Sequence, residues 1–399
     1  MAQAQIFSSE TLHGIADIRI TAADGERGWL DGGFGKTAAS GAGDGGWQVK
    51  GEFSQAALEW RPKFSFGLSG YVTAQYQPSL DGRVDLGEAF LKYRGPPTPH
   101  GRWSARAGLF FPPVSMEHDG VAWTTPDMLS ASAINSWIGE EVRVVGVEGS
   151  FERRLGEHEV SVTGAVFGGD DTSGTLLSFR GWALHDIKAG VGTRFDLPVM
   201  SPFMRTKQAR DTMPLLELDR RAGYYGRVEW RPPIPVSFNA LYYDNAGSRV
   251  AMLSPTDKQW SWETRFLNLG ARWEPDETTK VLAQVMNGET MMGIHKPAGI
   301  WLDMGFSAAY VLASRQIGDD ALSGRMDWFA TKDRTFVVED DNNETGWALT
   351  GAWRHRLAPH ADLLFEAMRV SSKRPSRALV HEPAKQDQTV LQTALRLSF

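Results

Sequence analysis

The feature that most constrains this chain is a period of two that returns from one end to the other. In the last stretch, Leu391, Thr393, Leu395, Leu397 and Phe399 fall on one side and Val390, Gln392, Ala394, Arg396 and Ser398 on the other. That is the pattern of a strand with one greasy and one mostly polar face. The same alternation is predicted from Leu12 to Ile20, Ser54 to Trp60, Phe64 to Tyr76, Glu88 to Arg94, Arg102 to Leu109, Val142 to Phe151 and Glu159 to Phe167. It resumes from Ala222 to Trp230, Val236 to Tyr243, Phe266 to Trp273, Lys280 to Met286, Asp303 to Leu312, Ala321 to Phe329, Gly346 to Arg354 and Ala361 to Val370. Short connections such as Glu152 to His158, Arg231 to Pro235 and His355 to His360 alternate with long ones, chiefly Asp31 to Gly46, Phe111 to Gly139 and Gly168 to Leu218. With every short turn at one end and every long loop at the other, the count is about sixteen, or about eighteen if 168–218 hides a hairpin. The expectation is an all-β fold, a single antiparallel up-and-down β-barrel over residues 11–399. Residues 1–10 would form an N-terminal segment, loop 111–139 would fold inward and 168–218 would be a long loop.

Composition bears on whether such a barrel stands in a membrane. Mean hydropathy is −0.32, and the absence of a run of about eighteen apolar residues excludes a transmembrane helix, not transmembrane strands, whose alternate residues face a wet lumen. Aromatic residues such as Phe64, Phe66 and Tyr76, or Trp347 and Trp353, sit at both ends of apolar faces, where interfacial girdles are needed. A soluble β-sandwich shares the alternation but not the unbroken meander or the long-loop, short-turn asymmetry. The chain has no Cys, which rules out a disulfide scaffold and thiolate metal sites and suits passage through an oxidising compartment. Met1-Ala-Gln-Ala-Gln-Ile carries no basic or apolar leader and reads as a mature chain with its export signal removed. A net charge of −6 argues against a nucleic-acid partner.

Motifs for other chemistries fail on inspection. Gly33-Phe-Gly-Lys-Thr37 lacks the first Gly and the following helix of a phosphate loop and reads as a mobile loop. Asn343-Glu-Thr345 fits a glycosylation acceptor that an exported bacterial chain does not use. The His residues are scattered, with no pair at helix spacing around a Glu, so no metal, cofactor or catalytic residue is assigned. An outer-membrane barrel enzyme acting on lipids through Ser and His is the alternative from another class.

The polar parity carries Asp17, Arg19, Glu59, Glu88, Lys92, Arg94, Arg102, Arg106, Glu148, Arg227, Glu229, Arg272, Arg325, Asp327, Arg354, Glu366 and Arg396. An Arg or Lys facing hydrocarbon costs roughly 2–4 kcal/mol at the midplane, so this face is expected to be wet and the interior a channel. Arg19, Arg102, Arg106, Arg227, Arg272, Arg325, Arg354 and Arg396 are the expected pore wall, and their number would favour anionic solutes.

The connection after Leu109 carries the sharpest signal. It reads Phe110-Phe-Pro-Pro-Val-Ser-Met-Glu-His-Asp119, then Ala122-Trp-Thr-Thr-Pro-Asp127 and Ser136-Trp-Ile-Gly-Glu-Glu141. Gly108-Leu-Phe-Phe-Pro-Pro-Val-Ser-Met-Glu117 resembles the strand-to-loop junction of the phosphate-selective porin O/P family, and Glu88-Ala-Phe-Leu-Lys-Tyr93 is similar to the strand before it. Phe111 stands where that family has Lys. Phe399 resembles the final aromatic residue that the barrel-assembly machinery reads in bacterial outer-membrane proteins. The resemblance implies a sixteen-stranded, trimeric porin in the outer membrane of a Gram-negative bacterium, in contact with membrane lipid and lipopolysaccharide. Small hydrophilic solutes would diffuse through it passively, without a cofactor. Glu117, His118, Asp119, Asp127, Glu140 and Glu141 would form the constriction, and Glu117, Asp119, Glu140 and Glu141 would face Arg19, Arg106 and Arg396. A channel specific for small organic anions or phosphate is the alternative within transport.

Overall fold

In the computed structural model, which describes residues 6–43, 45–80, 84–295, 299–335, 337 and 339–399, sixteen strands form one closed antiparallel wall. They are β1 (Leu12–Ala23), β2 (Gln48–Trp60), β3 (Leu68–Tyr76), β4 (Val84–Arg94), β5 (Arg102–Phe110), β6 (Val144–Leu155), β7 (His158–Gly168) and β8 (Gly223–Arg231). The second half comprises β9 (Val236–Asp244), β10 (Glu263–Asp276), β11 (Thr279–Met292), β12 (Leu302–Ile317), β13 (Asp320–Asp333), β14 (Glu344–Ala358), β15 (Ala361–Lys373) and β16 (Lys385–Ser398). Each pairs with the next, and β1 pairs with both β2 and β16, which closes the ring. Among the described residues two α-helices leave the wall, α1 (Ala133–Glu141) and the short α2 (Thr175–Phe179). The 168–218 excursion adds no hairpin to the wall. It holds α2 and a two-residue pairing of Phe195–Asp196 with Asp211–Thr212, so β8 follows β7 directly and the count is sixteen rather than eighteen. Met1 to Gln5, where the export-signal reading falls, lie outside the described residues, as do residues 81–83 of the turn before β4.

The alternation decides which side chains meet the membrane. On β1, Ile18 and Ile20 are 52% and 59% exposed on the outer surface, whereas Asp17 and Arg19 are 0% and 5% exposed inside. Leu58, Leu91, Val147, Val166, Leu269, Val311, Leu349 and Leu397 continue that exposed apolar belt around the ring. Trp60, Tyr93, Trp103, Trp230, Trp273 and Phe399 border it near the short turns, and Tyr224, Tyr242 and Trp347 border it toward the long loops, the two levels at which amphipathic rings settle. The ring seals at Gly14, whose N–H donates to Phe399 O while the Phe399 N–H donates to Gly14 O, each at 3.1 Å. A Cβ on Gly14 would lie 2.3 Å from the Phe399 ring, so glycine lets that ring lie over the seam as it does.

The interior is not uniformly wet, which corrects the expectation drawn from the wall charges. Phe167, Tyr225, Tyr243, Phe266, Met286, Phe306, Phe329, Met368 and Val390 point inward from the long-loop half of β7–β16 and are at most 4% exposed. They pack with Ile134, Trp137 and Ile138 of α1 and with Trp182. Trp137 meets Phe306, Phe266 and Trp182 edge-on at 5.1, 5.6 and 6.0 Å. Each fully buried side chain of this size contributes roughly 1.5–3 kcal/mol, so the seam holds a plug against the wall. Period two reports which way a side chain points. Whether that side is wet depends on segments from elsewhere in the chain.

The Gly33–Thr37 stretch is likewise held, not mobile. Lys36 is 1% exposed, ion-paired with Glu344, and donates to Arg180 O at 3.0 Å, while the Thr37 hydroxyl donates to Gln388 at 2.9 Å. Strict alternation breaks on β2. The register of β2 against β1 shifts between Asp17 and Ile18, and this bulge turns both Ser54 and Gln55 inward.

Candidate functional site

Residues 111–143 cross the lumen as a belt tied to the wall at many points. Phe111 N–H donates to Glu88 at 3.1 Å, Ala122 N–H to Glu59 at 2.8 Å, Leu129 N–H to Glu366 at 2.8 Å and Ala133 N–H to Asp327 at 3.1 Å. Gln284 donates to Val114 O at 2.8 Å, Arg396 to Thr125 O at 3.0 Å and Arg325 to Ser130 O at 2.6 Å. A loop buried in a barrel must satisfy its own backbone, and inward acids from β2, β4, β13 and β15 do so. Glu59, Glu88, Asp327 and Glu366 were legible as inward charges; their use as anchors was not.

The six expected constriction residues separate into two groups. Glu117 is buried, ion-pairs with Arg325 at 3.2 Å and accepts from Ser132 N–H at 3.0 Å. Its partner Ser132 caps α1 by accepting from Asn135 N–H. Glu140 is fully buried against Arg180, 2.7 Å along one arm, and His185 at 2.7 Å. Glu141 accepts from Leu176 N–H at 2.7 Å, Gly174 N–H at 3.2 Å and Trp137 Nε1 at 2.8 Å. These three hold the plug together. His118, Asp119 and Asp127 are more open: Asp119 pairs with Arg272 at 3.3 Å and Asp127 with Lys280. His118 stacks on Trp123 with centroids 3.6 Å apart, and Trp123 in turn on Phe111 at 4.0 Å. Ser115 Oγ lies 2.7 Å from His118 Nδ1 but also accepts the backbone N–H of Glu117 and His118. The hydroxyl therefore braces a tight turn.

The wall arginines do not face the acids expected of them, and the correction has a simple cause. Arg106 sits directly opposite Glu148 in the ladder and grips it at 2.9 and 2.8 Å; Arg396 sits opposite Asp17 and grips it at 2.9 and 2.8 Å. Neighbouring strands thus neutralise both cations, and the belt meets them through carbonyls, Phe111 O at 3.2 Å and Thr125 O at 3.0 Å, rather than through its acids. Arg19 pairs with Asp186 at 2.7 Å. Arg227 pairs with Glu229 at 2.6 Å, Arg325 with Asp327 at 2.8 Å, and Arg272 also with Glu274 at 3.0 Å. Arg102 donates to Gly95 O at 3.1 Å and Arg354 to Gln316 at 3.0 Å. The residues missed from sequence are Arg180, His185 and Asp186, which belong to one stretch of the 168–218 excursion, Arg180-Gly-Trp-Ala-Leu-His-Asp186. Its three titratable groups within seven residues were the available signal.

Electrostatics separate the two adjacent glutamates of α1. Burial opposes ionisation of Glu140, but the Arg180 guanidinium and His185 outweigh it and hold the carboxyl at about 2. Burial pushes Glu141 up to about 7, only partly countered by the Leu176 N–H and Trp137. Burial, with the cations Lys188 and Arg325 nearby, pushes His118 well below the usual imidazole range, so it is neutral near pH 7.

Polar space persists on both sides of the belt. Toward the long loops, a cavity of about 230 Å³ lies between β1, β2, β16 and the segments around residues 30–40 and 184–187. Toward the short turns, spaces of about 480 and 560 Å³ are lined by Asp119, Arg227, Glu229 and Arg272, and by Asp127, Glu274 and Lys280.

No protein-family model and no curated protein matches the sequence. Solved structures do match the fold. The outer membrane channel DcaP of Acinetobacter baumannii aligns at 12% identity and a TM-score of 0.57, covering 100% of both chains. The anion-selective porin from Comamonas acidovorans aligns at 12% identity and 0.55, also over 100% of both. OprB of Pseudomonas putida aligns at 9% identity and 0.54, over 98% of this chain and 94% of its own. At these identities the likeness establishes the fold, a transmembrane barrel of the outer-membrane type.

Proposed function

We propose that this chain is an outer-membrane porin, a passive channel for small hydrophilic solutes. Its path runs from the long-loop cavity past the belt to the spaces at the short-turn end. The observation that supports this is polar, charge-lined space on both sides of the belt inside an apolar-coated wall. In this reading His118, Asp119 and Asp127 meet the solute, whereas Glu117, Glu140 and Glu141 act through the plug. Wall charges that are already paired leave a modest transverse field, so selectivity among small ions is weak. Single-channel recording in planar bilayers tests it: conductance well below that of an unplugged sixteen-stranded barrel is expected. A folded, membrane-inserted barrel that passes no current at any voltage would sink it.

Preference for small organic anions or phosphate is a second reading, favoured by Lys92. It lies directly opposite Arg106 on the inner face, and like charges in that register repel, an arrangement that a passing anion relieves. Reversal potentials in a KCl gradient decide between the two. Assembly as homotrimers, contact with lipopolysaccharide and recognition of Phe399 by the assembly machinery complete the proposal. Deleting Phe399 should cut the yield of membrane-inserted protein far more than the conductance of molecules that insert.

A further inference from the structure

The long-loop cavity has a chemistry that the wall arginines do not foretell. Its buried charged lining groups are already matched, Arg19 with Asp186 at 2.7 Å and His185 with Glu140 at 2.7 Å. Lys50, paired with Glu52 at 2.6 Å, and Asp31, which accepts from the Ser40 hydroxyl, are exposed to solvent. Gln77 is also committed, donating to Asp186 O and accepting from Lys188 N–H. By contrast Thr21, Ser54 and Ser79 line the same space with hydroxyls that bond to nothing else among the described residues. Facing them is an apolar side formed by Leu30, Leu184, Ile187, Met368 and Val390.

An ionic solute gains little in such a place. To bind among the buried groups, an anion would have to displace Asp186 from Arg19, or an ammonium displace Arg19 from Asp186, and leave the other charge uncompensated, a costly exchange where solvent is scarce. The exposed Lys50 and Asp31 and the half-buried Glu52 are solvated and offer an ion little. A neutral polyhydroxylated solute has no such cost, because its hydroxyls can give and take with Thr21, Ser54 and Ser79 while its C–H face covers the apolar side. The volume of about 230 Å³ lies below the roughly 300 Å³ at which drug-sized ligands begin to fit. We propose that this cavity is a binding subsite for a neutral monosaccharide-sized polyol, the first station on the path through the channel. The proposal rests on the channel reading for its role, though not for its geometry. Affinity should be weak, on the order of millimolar, since a permeant solute must leave again.

The test uses the full chain refolded in detergent and titrated calorimetrically with D-glucose, glycine and inorganic phosphate, with the same protein recorded in planar bilayers. Saturable glucose binding, at least tenfold tighter than glycine or phosphate, supports the subsite. The Thr21→Val/Ser54→Ala double variant should weaken it fivefold or more, and Ser54→Phe, which fills the space, should abolish it. Equal or tighter binding of phosphate or glycine overturns it, as does glucose binding indifferent to both variants. Ion current without saturable glucose binding refutes the subsite and leaves the channel standing. Glucose binding without current refutes the channel and leaves the subsite.

Discussion

The two sides of this lumen are built on opposite principles from strands with the same alternation. Along β1, β2 and β16 the inward face is ionic, with Asp17 shared by Arg396 and Arg19, and Arg19 passed on to Asp186. Along β8–β13 it is apolar in its long-loop half, and Tyr225, Tyr243, Phe266 and Phe306 receive α1 and Trp182. The first side keeps open space beside its long-loop half; the second has that half filled and is open only toward the short turns. A barrel of this size would be wide open if both sides were ionic, so it is the apolar seam, by recruiting a plug, that makes the passage narrow.

The largest effect should come from Trp137→Ala, which removes the centre of the seam. Large-to-small changes at buried aromatic sites cost roughly 3–5 kcal/mol, yet the wall ladders do not depend on this ring. Thermal unfolding of the inserted protein is therefore expected in two steps, the plug loosening below the melting of the wall, together with a several-fold rise in single-channel conductance. An unchanged conductance would mean that the seam is not what narrows the path. Arg180→Met tests the plug from its ionic end. It strands the buried Glu140 carboxylate, and breaking such a pair from one side costs roughly 3–5 kcal/mol. Its effect on conductance should approach that of Trp137→Ala, with Glu140→Gln added in the same chain restoring part of the loss.

The fold was legible because strand direction and turn length are local properties. Leu391 to Phe399 already carried the outer face, and Arg396 the inner one. What packs residues 111–143 inside the ring was not legible, for the complementary reason. Trp137 and Phe306 are far apart in sequence, each consistent with an ordinary buried or girdle aromatic, and nothing local says that they meet inside the ring. The inward acids were visible, but an acid that serves backbone N–H groups, as Glu366 serves Leu129 and Ser130, looks in sequence like one that serves a solute. Arginine count misled in the same way, since Arg106 and Arg396 are spent on Glu148 and Asp17 across one ladder.

A smaller effect distinguishes the adjacent glutamates. Glu140, held at about 2, stabilises the docked plug above its ordinary titration range and loses that contribution as pH falls from about 4.5 toward 2. Glu141, raised to about 7, favours the docked plug only while protonated, and that contribution is lost as pH rises from about 4.5 through 7. The shift corresponds to roughly 3 kcal/mol. Plug stability should peak in weak acid, and Glu141→Gln should flatten the fall above it while leaving the acid limb in place. Stability measured at pH 5 and pH 8 in both proteins checks this.

The smallest effect on stability belongs to the open side, and it is where function should respond most. Asp119 and Arg272 meet at 3.3 Å with side chains 43% and 32% exposed, and half-exposed pairs of this kind contribute about 0–1 kcal/mol. Asp119→Asn should therefore leave melting almost unmoved. It removes a negative charge from a space of about 480 Å³ on the solute path and leaves Arg272 with Glu274 as its remaining acid partner. The reversal potential in a KCl gradient is expected to move toward anions, while Arg272→Gln should move it toward cations by a similar amount. If neither substitution shifts it, the short-turn space is not part of the conducting path, and the path must follow the β1–β16 side from end to end.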